Sequence, residues 1–381
     1  MTTIDGAALL NEVEAFHRRF NVFPTEADYV AVVLWDAHTH LLDCFESTPR
    51  LAFLSPEPGS GKSRALEIVE TLVPNPMAAV DASAAALFRA VAGVDGKRPT
   101  ILFDEIDTIF GPKAGENEQL RGFINAGHRR NRPMFRCVGD GANQTVQAFH
   151  SYAAVAVAGL GYLPDTIRDR SINIRMRRRA RNENVEPYRT RVHEKEGFAL
   201  RDRLAKWAEQ VTERVTDVWP SMPDGVTDRP ADVWEPLLAI ADAAGGHWPD
   251  RAREACVALV TASKANDKGS LGVRLLTDLR DLVMVGIDRL PTVAILDRLN
   301  ALDDAPWADL HGKPLDNRRL SRMLAEYMTT DNEPIASRNI KTAGSVLKGY
   351  YAADLSDAWA RYCPPPPESP LPPLPGTENV A

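Results

Sequence analysis

Short apolar runs alternate with amphipathic stretches along the first half of the chain. Apolar residues recur at helical spacing over Ala7–Phe20 and Thr25–Phe45, which predicts two helices. The apolar run Leu51–Leu54 is typical of a buried strand, and after a Gly-rich turn the helical pattern restarts at Ser63. This order of strand, loop and helix predicts an α/β fold.

The alternation continues to about residue 181. It predicts helices over 63–72, 84–91 and 118–129, a helical turn over 163–170, and strands over 77–80, 100–103, 152–158 and 171–176. The strand-like runs Met134–Gly139 and Thr145–His150 flank the turn signal Asp140–Asn143 and predict a β-hairpin. Such alternation implies a parallel sheet with a site at the carboxyl ends of its strands.

The second half of the chain is mainly helical in pattern. Amphipathic periodicity predicts helices over 197–218, 232–243, 251–262, 273–285, 292–302, 318–327 and 353–362. A turn at Trp248 and Pro249 separates two of them, and strand-like segments over 335–351 follow the later helices. Helices followed by such segments suggest a winged-helix-like α+β module. The proline-rich tail cannot form a core, so we expect it to be disordered.

A phosphate-binding pattern lies at the first strand-to-helix junction. Residues 56–63 are Pro-Glu-Pro-Gly-Ser-Gly-Lys-Ser, with Pro56 where the standard pattern begins with glycine. The glycines allow backbone amides to turn toward a phosphate, and the helix N-terminus adds its positive dipole. We expect Lys62 to reach the β- and γ-phosphates and the Ser63 hydroxyl to hold Mg²⁺. The residues expected to bind the nucleotide are Pro58, Gly59, Ser60, Gly61, Lys62 and Ser63.

A second apolar strand ends in paired carboxylates. Residues 100–107 are Thr-Ile-Leu-Phe-Asp-Glu-Ile-Asp. Metal-assisted phosphoryl transfer needs an acidic metal ligand beside a group that activates water, so we expect Asp104 to hold Mg²⁺ and Glu105 to polarise the attacking water. The alternative for the first motif, taken alone, is a Gly-rich turn without a ligand. The alternative for the second motif, taken alone, is a solvated strand end. Together the two motifs predict a chain that binds and hydrolyses ATP.

Composition narrows the remaining possibilities. The 381 residues are 44% hydrophobic and 25% charged, which is typical of a soluble chain with two or three domains. The net charge of −7 provides no global basic field, so nucleic-acid binding would need a local patch. Four scattered cysteines indicate neither a zinc site nor a disulfide framework. No transmembrane stretch or signal peptide is visible, so we expect a cytoplasmic protein without a membrane partner.

Arginines gather at two places in the first half. The run Arg175–Arg181 contains five, for which a solvated surface and a contact to a phosphate backbone both stay open. The basic candidates for nucleic-acid contact near the predicted hairpin are Arg129, Arg130, Arg132 and Arg136.

The two phosphate-site motifs, the run Ala156–Ile174 and the segment Asp228–Asp242 together resemble a family of P-loop ATPases from actinobacterial phages and mobile elements. Its members are often associated with primase–polymerase modules and carry a domain of unknown function at the C-terminus. The resemblance covers about residues 20–362. The N-terminal half of the family is similar to the AAA+ class and its helicase-like relatives.

The resemblance implies further roles. An arginine just before the last core strand would reach the γ-phosphate held by a neighbouring subunit, and Arg168 and Arg170 lie there, with Arg170 favoured. A surface ion pair is the alternative role for either arginine. Arg229, at the start of the first lid helix, would contact the nucleotide of its own subunit. The hairpin would line a ring's pore and touch nucleic acid, although Asp140 at its tip would repel phosphates.

The resemblance also implies a polar sensor residue at the end of the strand over 152–158. Gly159, Leu160 and Gly161 stand there instead, which leaves Asn143 as a weak candidate for that role.

These observations predict a P-loop NTPase (AAA+-like) core followed by a helical lid and a winged-helix-like α+β module. The expected segments are N-terminal helices over 1–50, an ATPase core over 51–181, a lid over 192–265, the winged module over 271–362 and a disordered tail over 363–381. We expect an oligomer, with a ring of six subunits as one option, that uses ATP and Mg²⁺ to act on DNA as a helicase or helicase loader in phage or mobile-element replication. A replication protein is a further expected partner. The alternative is an ATP-driven protein remodeller or switch without DNA.

Overall fold

The chain folds as two compact units, Met1–Lys264 and Ala265–Ala381, in a computed structural model. The structure describes residues 3–79, 84–92, 98–110, 118–138, 145–161, 163–266, 271–302, 305–310, 313–342 and 345–363. The predicted hairpin tip at Asp140–Asn143 and the tail beyond residue 363 lie outside these residues.

Two capped helices open the N-terminal unit, α1 (Gly6–Phe20) and α2 (Glu26–Thr39). Thr25 and Asp28 form a capping box that satisfies the first free amides of α2. Helix α2 is buried on nearly all sides, so its polar groups need internal partners. One such partner pair joins the two helices, because His17 Nε2 lies 2.7 Å from Asp36 Oδ2 with both side chains fully buried.

The centre of this unit is a five-stranded parallel sheet. Its strands are β1 (Arg50–Ser55), β2 (Pro76–Ala78), β3 (Thr100–Phe103), β6 (Val155–Leu160) and β7 (Ser171–Arg175). They lie side by side in the order β2-β3-β6-β1-β7. The predicted parallel sheet is therefore confirmed. Because every strand runs the same way, the ends of β1, β3 and β6 meet at one edge, which we call the carboxyl edge, and their starts meet at the amino edge.

Strand β1 is buried on both faces, as expected for a parallel sheet. Leu51 and Phe53 belong to one hydrophobic cluster, and Ala52 and Leu54 belong to another. Helix α3 (Lys62–Leu72) packs in the first cluster with α1 and α2. The second cluster takes residues from α4 (Ala84–Ala92), α5 (Asp107–Phe110), α6 (Glu118–Ala126) and α7 (Asp165–Arg168).

The predicted hairpin is confirmed as a separate two-stranded antiparallel sheet. It consists of β4 (Met134–Val138) and β5 (Thr145–Phe149), with Met134 opposite Phe149. Phe149 anchors the hairpin, because its ring lies 5.7 Å from that of Phe88 in the core. The other face carries Phe135 and Val146, which are 68% and 71% exposed.

Three long helices complete the N-terminal unit: α8 (Thr190–Val215), α9 (Asp228–Ala244) and α10 (Trp248–Asn266). Buried tryptophans anchor one side of each, at Trp207, Trp234 and Trp248. Trp248 and Pro249, which we predicted to form a turn, instead begin α10. Proline fits there because the first helical turn needs no amide hydrogen from it.

The C-terminal unit combines helices with a small antiparallel sheet. Its helices are α11 (Leu271–Asp278), which continues as a π turn over Leu279–Val283, α12 (Thr292–Asn300), α13 (Asn317–Leu324) and α14 (Ala352–Tyr362). The sheet has the order β8-β10-β9, with β8 at Arg289–Pro291, β9 at Arg338–Thr342 and β10 at Ser345–Tyr351. Across the described residues, no helix combines the length and apolar character needed to cross a bilayer.

Candidate functional site at the carboxyl edge of the sheet

The loop between β1 and α3 curls at its two glycines. Gly59 has a φ of +78° and Gly61 a φ of +85°, both in the left-handed region that side chains disfavour. Gly61 is also the N-cap residue of α3, so the loop ends directly at a helix N-terminus. Pro58, Gly59 and Ser63 are exposed to solvent. The backbone therefore forms an open cradle at the positive end of a helix.

Lys62 lies folded back beneath this loop. Its ammonium donates to Ser55 Oγ at 2.7 Å and to Ser60 Oγ at 3.2 Å. Lys62 as a whole is only 9% exposed. Burial lowers the pKa of Lys62, whereas the carboxylates of Asp104 and Asp107 oppose that change. Lys62 is a cation held by hydroxyl groups, which an anion entering the loop can replace as its partner.

The acidic residues follow β3 at the same edge. Asp104 is half-buried and Glu105 is exposed, and the Glu105 amide donates to Asp104 Oδ1 at 2.9 Å. Glu105 has a φ of +57°, a conformation that non-glycine residues rarely adopt. Strand β6 separates β3 from β1, so the two strand ends lie about 10 Å apart. Phosphates and a metal ion fit a gap of this size.

Sequence reasoning missed a third acidic residue, Asp107. Its Oδ1 accepts a hydrogen bond from the Leu160 amide at 3.0 Å, where β6 ends. Gly159 allows this contact, since a Cβ there would lie 2.8 Å from Asp107 Oδ1 and 2.6 Å from Ile106 Cγ2. Gly159, which stands where a polar sensor residue was expected, thus makes room for Asp107. The available signal was the third carboxylate in the run after β3.

Arg178 joins the end of the sheet to the loop between β1 and α3. Its Nε donates to the Pro58 carbonyl at 2.9 Å, and its guanidinium lies 3.4 Å from Glu57 Oε2. A Cβ on Gly59 would lie 3.7 Å from Arg178 Nε, which shows how closely the arginine approaches the loop. The sequence placed Arg178 in a basic run but gave no reason to single it out.

The structure places three predicted site residues at the amino edge instead. Arg168 pairs with Asp165 at 3.1 Å and with Asp169 at 3.4 Å just before β7. Arg170 donates to the Thr166 carbonyl, and Arg229 pairs with Asp169 at 3.1 Å. Strand β7 separates this edge from the loop between β1 and α3 by about 16 Å at the usual rise per residue.

Arg229 was expected to contact the nucleotide of its own subunit, and the structure places it at the edge of the sheet opposite the loop between β1 and α3. Arg229 lies in the first turn of α9, and its guanidinium pairs there with Asp169. Arg168 and Arg170 likewise do not reach the Lys62 loop of their own chain.

The four nucleic-acid candidates do not lie together in the structure. Arg129 and Arg132 line a cavity at the amino edge together with Arg170 and Arg229. Arg130 pairs with Glu46 at 3.3 Å, and Arg136 lies on β4 of the hairpin.

Magnesium would find few protein ligands at the carboxyl edge. Among the described residues, no three His, Cys, Asp or Glu side chains converge as a metal site. Mg²⁺ commonly takes one or two protein oxygens and completes its octahedron with phosphate and water. The Ser63 hydroxyl and the Asp104 carboxylate, one on each side of the gap, fit that requirement.

Comparison with known proteins places the chain in a family. Residues 175–362 match the family model described as "Protein of unknown function (DUF3631)". The "Uncharacterized 28.9 kDa protein in xis 5'region" of Saccharopolyspora erythraea is 42% identical over 190 residues, which cover 50% of this chain and 69% of that protein. The chain therefore belongs to the same family as the Saccharopolyspora erythraea protein and carries the DUF3631 domain.

Proposed function

We propose that the chain is an oligomeric, AAA+-like P-loop ATPase that acts on DNA, as a helicase or helicase loader, in the replication of a mobile element. The observation that carries this proposal is the position of Lys62. It lies at a helix N-terminus beneath a glycine loop and faces the carboxylates that end β3.

The loop between β1 and α3 and the two carboxylates that follow β3 each have a part in the proposed hydrolysis. The loop amides and Lys62 bind the phosphates, and Ser63 with Asp104 would hold Mg²⁺, which neutralises phosphate charge. Glu105 orients water and accepts its proton. Lys62 leaves the hydroxyls of Ser55 and Ser60 when it turns to the phosphate.

The arginines of the amino edge support the oligomeric part of the proposal. Arg170 lies a strand's length from its own phosphate loop, so it could serve only a nucleotide held by a neighbouring copy. A guanidinium supplied in trans stabilises charge in the transition state and makes hydrolysis depend on assembly.

Support for DNA as the substrate comes from the C-terminal unit and from the relative. Arg318 and Arg322 lie one turn apart on the exposed side of α13. Neither has a carboxylate within ion-pair distance among the described residues, so both are available to phosphates. The winged-helix interpretation would give α13 such a role. The relative's printed name locates it in the region 5′ of xis, which supports the mobile-element setting.

One observation favours the alternative, an ATP-driven protein remodeller. The hairpin exposes Phe135 and Val146 on one face, and exposed apolar surface is more typical of protein contacts than of phosphate contacts.

The test is steady-state ATP hydrolysis as a function of protein concentration, with and without single-stranded and duplex DNA. Glu105→Gln and Arg170→Ala are the informative variants. Arg203→Ala is the matched control, because Arg203 is an arginine of the same unit that pairs with Glu12 at 2.5 Å and has no part in the proposed site. We expect a specific rate that rises with concentration and DNA, falls by at least about 100-fold in both variants, and is unchanged in the control.

The outcomes separate the hypotheses. A rate that ignores DNA but is lost in both variants would favour the protein remodeller. Normal hydrolysis by Arg170→Ala would contradict the shared site and leave only the nucleotide pocket. An equal rate in Glu105→Gln and in the wild type would contradict the proposed ATPase.

A further inference from the structure

A cavity of about 190 Å³ opens at the amino edge of the sheet, opposite the phosphate loop. Its charged and titratable lining consists of Arg129, Arg132, Arg170, Arg229, His128 and Asp232. A single water needs only about 10–15 Å³ of comparable space, so the cavity can admit a larger polar group.

Positive charge in this cavity exceeds the negative charge that faces it. Arg129 pairs with Asp232 at 3.1 Å, and Arg229 pairs with Asp169 at 3.1 Å. For Arg132 and Arg170, no carboxylate of the described chain lies within ion-pair distance. Two guanidinium groups are thus available to an incoming anion.

The positive charge continues beneath the cavity. Arg50 is 1% exposed and donates to two backbone carbonyls, those of Ala153 at 2.7 Å and Ile124 at 3.0 Å. Burial, with a smaller contribution from the charge of Arg170, lowers its pKa to about 9, while Tyr152 opposes the change. Burial also lowers the pKa of Arg170, as do the neighbouring charges of Arg229, Arg129 and Arg132, while Asp169 opposes this. An anion in the cavity would offset this mutual repulsion.

We propose that the cavity between Arg132, Arg170 and Arg229 is a second phosphate-binding site, which takes the terminal phosphates of a polyphosphate. Guanidinium groups suit this ligand because they present several donors in a planar fork to phosphate oxygens. The site is separate from the Lys62 loop of the same chain, since it lies at the opposite edge of the sheet. Its polyphosphate can be a free one or that of a nucleotide held by a neighbouring copy, the source that the proposed function requires.

Calorimetric titration of the full chain with inorganic pyrophosphate tests this site. The Lys62→Ala variant removes the main phosphate ligand of the loop, so any pyrophosphate that it binds belongs elsewhere. We expect Lys62→Ala to bind pyrophosphate, and the added Arg132→Ala change to weaken that binding about tenfold or more. Arg132 is exposed, so its replacement leaves the core intact. Arg203→Ala, added to the same background, is the matched control and should leave the affinity unchanged, since Arg203 pairs with Glu12 and does not line the cavity.

Two results would overturn the inference. One is that Lys62→Ala fails to bind pyrophosphate while wild-type binding is insensitive to Arg132→Ala. The other is equal weakening by Arg132→Ala and Arg203→Ala, which would indicate general surface attraction. If Lys62→Ala does not fold, a tenfold loss of affinity on Arg132→Ala in the wild-type background, against none for Arg203→Ala, supports the site, and no loss contradicts it.

The source of the phosphate follows from a second arm of the titration. Binding that is the same in dilute and concentrated protein indicates a free polyphosphate. With ATP and wild-type protein, protection of the cavity that rises with protein concentration indicates the nucleotide of a neighbouring copy. Arg132 accessibility to an arginine-modifying reagent reports this protection without any measurement of hydrolysis.

Discussion

At the residue scale, Glu105 combines a strained backbone with the proposed water-activating role. Its φ of +57° costs about 1–2 kcal/mol for a residue with a Cβ. The turn is held by the hydrogen bond from its own amide to Asp104 Oδ1. This conformation directs the chain out of β3 immediately after Asp104 and brings two carboxylates to the carboxyl edge.

Replacing Glu105 by asparagine should separate strain from chemistry. Asparagine tolerates the left-handed region, so we expect the free energy of unfolding to rise by up to about 1 kcal/mol while ATP hydrolysis is lost. Glu105→Gln is the matched control, since it also loses the carboxylate but keeps the strain. Urea unfolding of both variants makes the comparison, and a Glu105→Asn protein less stable than Glu105→Gln would contradict the assignment of strain.

His38 is buried, and its burial makes the stability of the fold depend on pH. Burial, with a smaller contribution from the charge of Arg50, lowers its pKa to about 3 against the opposing effect of a backbone hydrogen bond to Trp35; the unfolded value is near 6.5. The unfolded chain therefore binds a proton below pH 6.5 that the folded chain does not bind until about pH 3. The stability that neutral His38 contributes is complete above pH 6.5 and is lost as the pH falls toward 3.

His38→Phe should make the protein less sensitive to acid. The phenyl ring keeps the aromatic contact with Phe45, whose ring centre lies 5.5 Å from that of His38. Between pH 6 and 4, we expect the unfolding free energy of the variant to fall less steeply than that of the wild type, by about 1.4 kcal/mol per pH unit. His40 and His128, whose pKa values burial lowers to about 4, keep a residual slope in the variant. Parallel urea-unfolding curves for the two proteins across this range would contradict the prediction.

At the element scale, the sequence predicts most helices and strands because their signals are local. Strand β1 and helix α3 carry an apolar run, glycines and a helical period in direct succession. Strand β8 was not predicted, since the three residues Arg289–Pro291 are too few to show a period. Helix α8 begins at Thr190, before the start at residue 197 that the sequence predicts, because its first turns carry mainly charged residues and few apolar ones.

Local sequence patterns also predict part of the candidate site, but not the contacts that tertiary packing determines. Parallel strands bring their ends to one edge, so Lys62 and Asp104 could be expected near each other from the pattern alone. The contact between Asp107 and the end of β6 depends on which strands are neighbours, which no local pattern specifies. Arg229 lies on a helix far along the chain, and only tertiary packing decides which edge it reaches.

Helix α13 offers a test of DNA binding at the level of one element. If Arg318 and Arg322 each contact a phosphate, replacing both by alanine removes about two released counterions. The plot of log affinity against log salt for duplex DNA should then become shallower by about 1.8. Arg361→Ala is the control, because Arg361 is exposed but pairs with Asp357 at 2.6 Å. An unchanged salt slope in the double variant would remove α13 from the interface.

At the scale of the whole molecule, the charge is unevenly distributed. The chain carries a net charge of −7, yet arginines dominate the amino-edge cavity and the exposed side of α13. Local fields of this kind attract phosphate while the net charge keeps the molecule from binding polyanions indiscriminately.

The boundaries of the DUF3631 match do not coincide with those of the compact units. The match begins at residue 175, the last residue of β7, and continues past Lys264, where the first compact unit ends. Helices α8 and α9 bury their apolar sides in the same cluster as α1, α2 and β1, all of which precede the match. A protein fragment restricted to residues 175–362 would therefore expose the apolar sides of α8 and α9 to water, and we expect it to aggregate. The segment that sequence comparison recognises and the segment that can fold therefore have different boundaries in this chain.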